Sequence, residues 1–203
     1  MSTQTPSVLE LAVYTVHEPD SFGAIQRQTH QAITTLQGNR GSLALCGRTG
    51  GLFADLVAWE SLEAARVAAD AVRMDSRFAP LMTAISQLRL YAHYVPSVNA
   101  ETVLGELRSA PFVEVAAYAV ADVVTHAGLQ SLVHRALRAE AGYRGGTAAR
   151  QHEDPRQFAD FLGWENEVSH DRANETLQAR EEFQPFFAGI SEMSVFELFR
   201  VLE

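Results

Sequence analysis

The side chains that could do chemistry are few and scattered. His93 stands between Tyr91 and Tyr94 near the end of an aliphatic segment. Histidine is the group best poised to move a proton near neutral pH. Asp55 lies inside the apolar run Leu52 to Trp59. An ionised carboxylate there needs a partner or a raised pKa. Arg40 is the partner that the sequence offers, as Arg144 is for Asp160. His30 falls on a helical segment, about 100° round from the centre of its apolar face, where a side chain can meet solvent or look into a pocket. The acid–base candidates are therefore His93, His30 and Asp55. Trp59, Tyr91 and Tyr14 are candidate walls for a planar ligand. Each has a plainer reading: core aromatics, a structural ion pair, a hydrogen-bonded core histidine. Glu10 and Glu114 are expected to pair at a sheet edge or between sheets.

Much other chemistry is excluded. The single cysteine, Cys46, leaves no disulfide framework and no cysteine-built zinc or iron–sulfur site, and reads as a small core residue. No two histidines stand at i, i+2 or i, i+4, so no metal site is expected. His152-Glu153-Asp154 reads as a solvated turn. All 16 basic residues are arginine, which removes Schiff-base chemistry and a P-loop lysine. The net charge of −9 opposes binding to nucleic acid or to an anionic membrane surface. No run of 18 apolar residues exists to cross a bilayer, and the N-terminal segment carries no secretory pattern, so a cytoplasmic protein is expected. With 47% hydrophobic and 20% charged residues the chain is globular. A small molecule is the expected ligand, with no cofactor.

These residues belong to a repeat. Phe53-Ala54-Asp55-Leu56-Val57-Ala58-Trp59-Glu60 returns as Phe158-Ala159-Asp160-Phe161-Leu162-Gly163-Trp164-Glu165, 105 positions later. Phe78-Ala79-Pro80 returns as Phe183-Gln184-Pro185 at the same offset. Glu10, Tyr14 and the run Gly38 to Gly41 match Glu114, Tyr118 and Gly142 to Gly145 at offset 104. The one-residue change falls in the segment between Gly41 and Phe53. Two copies of one unit of about 100 residues result. Residues 1–105 carry a net −2 and residues 106–203 a net −7, so the copies differ in surface.

Within a copy the patterns predict β-α-β-β-α-β. A strand spans Val8 to Val16. A helix capped within Pro19-Asp20-Ser21 carries Phe22, Ile25, Thr29, Ile33 and Leu36 on one face and ends at Gly38. Strands follow at Leu43 to Leu45 and Leu52 to Trp59, the latter apolar enough to be covered on both faces. Ser61 caps a helix to Arg73 with a charged outer stripe of Glu63, Arg66, Asp70 and Arg73. A shorter helix starts near Phe78, and the last strand runs from Leu88 to Val95. Such a unit folds as an antiparallel sheet with helices on one face. The second copy is the natural cover for the other face. The fold expected is α+β: two ferredoxin-like βαββαβ repeats, residues 1–96 and 111–203, whose sheets pack into one barrel with helices outside. Residues 97–110 form a linker with helical spacing from Glu101 to Arg108.

Trp59-Glu60-Ser61, the Ala-rich helix, Arg77-Phe78-Ala79-Pro80-Leu81 and Tyr91-Ala92-His93-Tyr94 together resemble the antibiotic biosynthesis monooxygenase-like group of dimeric α+β barrel proteins, over both copies. The group it resembles includes cofactor-independent monooxygenases, haem-degrading enzymes and many proteins of unknown role, so the resemblance implies the fold more than any one activity. The haem-degrading branch implies a histidine about ten residues after the tryptophan, where this chain has Ala69 and Asn174, and an asparagine that the first strand lacks. The quinone-forming branch implies Trp, Asn and Tyr around an aromatic substrate. Trp59, Tyr14 and Tyr91 match it and the asparagine has no counterpart. Single-copy relatives dimerise to build the barrel. Here the pairing is expected within one chain, with further homo-oligomers left open.

Two functions follow as expectations. One is a cofactor-independent oxygenase acting on a small aromatic or polyketide-like molecule, its site in the first copy, with His93 or His30 moving the proton. The other is a non-catalytic module that binds a small molecule or a partner. The two differ in whether His93 faces an open cavity. The second copy has Phe196 and Leu198 where the first has Tyr91 and His93, so acid–base chemistry is expected in the first copy alone. His134, the counterpart of His30, is expected to be exposed.

Overall fold

The computed structural model describes residues 7–202. The first repeat runs β1 (Val8–Val16), α1 (Pro19–Ile33), β2 (Asn39–Gly47), β3 (Leu52–Trp59), α2 (Leu62–Met74), α3 (Ala79–Ala84) and β4 (Ile85–Pro96). After α4 (Ala100–Arg108), the order returns as β5 (Phe112–Val120), α5 (Val123–Leu137), β6 (Tyr143–Gln151), β7 (Gln157–Trp164), α6 (Glu167–Ala179), α7 (Gln184–Ala188) and β8 (Ile190–Leu202). The eight strands close into one antiparallel barrel in the order β1-β3-β2-β8-β5-β7-β6-β4. The repeats meet along two short seams. Ala44 to Gly47 of β2 pairs with Leu202 to Phe199 of β8, and Tyr94 to Pro96 of β4 pairs with Gln151 to Ala149 of β6.

Strand alternation divides the residues between two environments. Leu9, Leu11 and Val13 of β1 and Ala54, Leu56 and Ala58 of β3 point into the barrel. Their neighbours Val8, Val57 and Trp59 pack against α1 and α2. β3 is therefore buried on both faces, as its composition requires. Polar residues on the outward phase, Glu10, Tyr14 and Asp55, are forced into the space between sheet and helices. The interior is closed at one end by α4, whose Val103, Leu104 and Leu107 join the barrel core.

Local chemistry sets the boundaries. α1 begins three residues earlier than its first apolar contact, with Pro19 in its first turn and no side-chain cap, so the expected cap in Pro19-Asp20-Ser21 is not used. Ser61 caps α2 as expected by accepting from the Ala64 N–H. Gly38 has φ +81°, and a Cβ there would lie 2.5 Å from that of Ala64. Gly142 repeats this at φ +88° against Ser169. The repeated glycine is thus where a tight turn passes beneath a helix. β2 and β4 are longer than their apolar stretches, because sheet pairing extends them through polar residues.

Candidate functional site

Each repeat holds a cavity between its sheet and its helices that carries the outward polar groups of its first strand. The first, about 240 Å³, is walled by Ala12, Ile33, Val57, Val72, Leu81 and Leu88 and carries Glu10, Tyr14, Asp55 and Tyr91. Arg73 of α2 stands at its rim. Sheet register assembles the polar group: Ala12 faces Asp55 on one side and Tyr91 on the other, and Glu10 faces His93.

Asp55 is the hub beneath this cavity. It accepts from Tyr14 Oη at 2.8 Å, from Gln26 Nε2 at 2.8 Å and from His30 Nε2 at 2.7 Å. Burial alone would raise its pKa, but His30, Gln26 and Tyr14 together outweigh burial and hold the carboxyl below its ordinary range. The ionised carboxylate can only accept, so His30 donates to it from Nε2, and Nδ1 faces Ser42 Oγ at 2.8 Å. Burial, reinforced by Asp55, pushes the Tyr14 hydroxyl well above its ordinary value, so it stays a donor. Asp55 is thus partnered by His30 rather than by Arg40, which pairs with Glu60 at 2.8 Å; Arg144 likewise pairs with Glu165. The reason is position: Arg40 sits at the start of β2 beside a bulge, at the far end of the strand from Asp55.

The second polar group lies across the same cavity. Tyr91 Oη donates to Glu10 Oε2 at 2.7 Å. His93 stands behind that carboxylate, its Nε2 3.4 Å from Oε2 and poorly aligned for a hydrogen bond. Its Nδ1 is 3.2 Å from Glu153, on the turn between β6 and β7 of the other repeat. Burial pulls the His93 pKa down, but Glu10 and Glu153 outweigh it, so the net direction is up. Burial and Glu10 raise Tyr91 strongly. Glu10 Oε1 takes no hydrogen bond from the described residues.

Several expectations need correcting. His93 does not face the cavity, so the oxygenase reading loses the proton acceptor expected for it; Glu10 faces the cavity instead, with the imidazole behind it. Trp59 is 1% exposed and packs among Val8, Ile33, Ala65 and Phe78, behind the wall rather than in it. His134 is buried, not exposed: its Nε2 lies 2.6 Å from Asp160. Cys46 is half-buried. The turn at His152-Glu153-Asp154 is solvated but not idle, since the His152 N–H donates to the His93 carbonyl. Among the described residues no group of three His, Cys, Asp or Glu side chains converges as metal ligands would.

The second cavity, about 180 Å³, has the same floor. Asp160 accepts from Tyr118, Gln130 and His134 as Asp55 does from Tyr14, Gln26 and His30. Its other groups differ. His170 of α6 places Nε2 3.0 Å from Glu114 and Nδ1 2.7 Å from Asp171. Burial opposes its charge, but both carboxylates outweigh burial and raise its pKa. Asn174 donates to Glu114 at 3.1 Å. His126 replaces Phe22; burial pushes its pKa down, keeping it neutral beside Tyr118. Sequence reasoning missed Gln26 and Gln130, although Gln26 and His30 recur as Gln130 and His134 at offset 104, a repeat of polar helix positions that was the available signal for them.

No family model matches the sequence, and no curated protein matches it. Solved structures do match. An anthrone oxidase-like protein superposes with a TM-score of 0.70 at 12% identity, over 100% of this chain and 94% of the other. An inferred monooxygenase from Fusobacterium nucleatum gives 0.68 at 11%, over 98% and 94%. A Listeria monocytogenes ferredoxin-fold protein related to antibiotic biosynthesis monooxygenases gives 0.57 at 10%, over 98% and 96%. Chlorite dismutase shares the architecture as well. The chain has the fold of these dimeric-type α+β barrels, with both halves of the barrel supplied by one polypeptide.

Proposed function

We propose that the first repeat binds a small aromatic molecule and oxidises it with molecular oxygen, without a cofactor. The observation that carries this reading is Glu10: a carboxylate with a free oxygen at an apolar cavity, steadied by Tyr91 and backed by His93. Asp55 is a poor base by comparison, because three donors already satisfy it. Glu10 takes a proton from an acidic CH2 or phenol of the substrate. The delocalised carbanion or phenolate gives an electron to O2, and the resulting pair combines at carbon. In an anthrone-like substrate the CH2 becomes C=O, one oxygen atom stays in the product and the other leaves as water, so no outside reductant is needed. His93 and Glu153 give the proton on Glu10 an imidazole path to solvent. The likeness in fold to an anthrone oxidase-like protein supports this substrate class.

The test is oxygen uptake over a panel of anthrones and hydroquinones, with product identified by mass. One O2 consumed per anthrone oxidised is expected. Binding with no uptake across the panel favours the second reading, a non-catalytic small-molecule binder. That reading has its own support: the Tyr–Asp–Gln–His network recurs unchanged beneath both cavities, as a structural element would.

A further inference from the structure

We propose that the second repeat holds a ligand site of its own, selective for a neutral one-ring aromatic molecule that carries a hydrogen-bond donor, with phenol as the simplest case. This does not depend on catalysis in the first repeat. The cavity of about 180 Å³ suits such a molecule, since an apolar cavity of roughly 150 Å³ accepts benzene. Leu137, Leu162, Leu177 and Phe186 give it apolar walls. Its opening is ringed by Phe196 and Met193, 51% and 45% exposed. Large apolar side chains left in solvent around a concavity mark a binding surface.

The polar chemistry selects the ligand. Asp160 and Tyr118 on the floor are engaged with each other and with Gln130 and His134. Glu114 Oε2 is held by His170 and Asn174, and Oε1 takes no hydrogen bond from the described residues. The free acceptor at the cavity is therefore a carboxylate oxygen, which calls for a donor. The residues that hold Glu114 have no counterpart in the first repeat, where Ala65 and Ala69 stand at those positions. A repeat that only completed a barrel would gain nothing from a buried imidazole and amide, whose desolvation is costly. Anionic ligands are disfavoured. Gln178 replaces Arg73 at the rim, and both ring nitrogens of His170 are already taken by carboxylates.

The chain carries its own reporters: Met193 lines this cavity, Met82 the first one, and Met74 is 88% exposed as a control. Protein labelled with 13C at the methionine methyls is titrated with phenol, toluene and benzoate, the signals being assigned with Met193→Leu and Met82→Leu. The expected result is a saturable Met193 shift with phenol at a Kd on the order of 1 mM. Toluene, lacking the donor, should bind about tenfold more weakly, and benzoate should leave Met193 unmoved. Ala116→Leu, which fills the cavity, should abolish the Met193 response and leave any Met82 response intact. Should that variant fail to fold, cross-relaxation between phenol ring protons and the Met193 methyl in the unmodified protein decides the matter. A Met193 methyl indifferent to phenol, or one that responds equally to benzoate, overturns the proposal. Because Met82 reads the first cavity separately, either site can fail alone.

Discussion

The two repeats keep the same floor and differ at the rim. Beneath each cavity a buried aspartate is held by a tyrosine, a glutamine and a histidine in matching geometry. Above it, each repeat sets an imidazole against the outward glutamate of its first strand, but from a different element. In the first repeat His93 comes from β4 to Glu10; in the second, His170 comes from α6 to Glu114. Both imidazoles also touch charge associated with the other repeat: Glu153 reaches His93 from the β6–β7 turn, and Arg48 from the β2–β3 turn holds Asp171 beside His170 at 3.2 Å. The floor is common to both copies, and the groups around the glutamates are where they differ. The expectation that the second copy offers only hydrocarbon, drawn from Phe196 and Leu198, was too narrow. It compared like positions along the chain, and the second imidazole enters from a position where the first repeat has Ala65.

The sharpest way to break this comparison is to remove one glutamate at a time. Glu10→Gln keeps shape and loses basicity, so turnover of an anthrone-type substrate should fall about 100- to 10,000-fold. Glu114→Gln should leave that rate within a few-fold. Oxygen-uptake rates for the two variants decide it. Equal losses would mean that the repeats are functionally alike, and no loss in Glu10→Gln would place the chemistry elsewhere.

A symmetrical effect is expected at the floor. Asp55→Ala strips the acceptor from His30, Tyr14 and Gln26, and Asp160→Ala does the same to His134, Tyr118 and Gln130. Breaking a buried, fully paired carboxylate costs about 3–5 kcal/mol. Guanidinium unfolding should show that loss in both variants. Because the halves share one barrel interior, each should still unfold in a single transition. A biphasic curve, with only the mutated repeat shifted, would show that the seams at β2–β8 and β4–β6 do not couple the repeats.

The fold was legible because it is written in local signals. Glycine and proline punctuate the elements, β3 and β7 alternate only between two buried faces, and the repeat at offsets 104 and 105 supplies the second layer. The site was half legible. Asp55, Tyr14 and Tyr91 announced themselves as polar groups in apolar strands. His30 stood out from its flank position on α1 but was not linked to Asp55, and Gln26 was missed altogether, since a polar residue on a helix face reads as solvated. His134 was misplaced for a related reason: α5 is apolar on most of its circumference, so its sequence gives no clear inner face. The links from Glu153 to His93 and from Arg48 to Asp171 join residues 60 and 123 positions apart, and no local pattern encodes them.

A smaller effect concerns pH. His170 has a raised pKa in the folded protein, against burial and because of Glu114 and Asp171. Its contribution to stability is fully present below the unfolded value of about 6.5 and is lost as pH rises through the raised folded value. His93 follows the same sign with weaker geometry, 3.4 Å from Glu10 and 3.2 Å from a half-exposed Glu153. Unfolding free energy should therefore decline from pH 6.5 upward. His170→Asn should flatten that decline more than His93→Leu does. A decline untouched by either variant would assign it to other groups.

The smallest effect expected is that of His93→Leu on stability, and it separates function from packing. The equivalent place in the second repeat already holds Leu198, buried to 2% exposure in the same strand phase. His93 gives up little when removed. Its Nε2 is buried without a well-aligned partner, and its partner Glu153 is 38% exposed and still reaches solvent when the imidazole is removed, so the lost pair contributes about 1 kcal/mol. Glu10 keeps the hydrogen bond from Tyr91. Losses and gains nearly cancel, so the variant should unfold within about 1 kcal/mol of the parent. Its turnover should nevertheless fall, because the path from Glu10 to solvent is gone. A loss of about 3 kcal/mol or more in denaturant unfolding would instead make His93 a structural clamp between β4 and the β6–β7 turn. The specialised chemistry of the first repeat would then rest on Glu10 and Tyr91 alone.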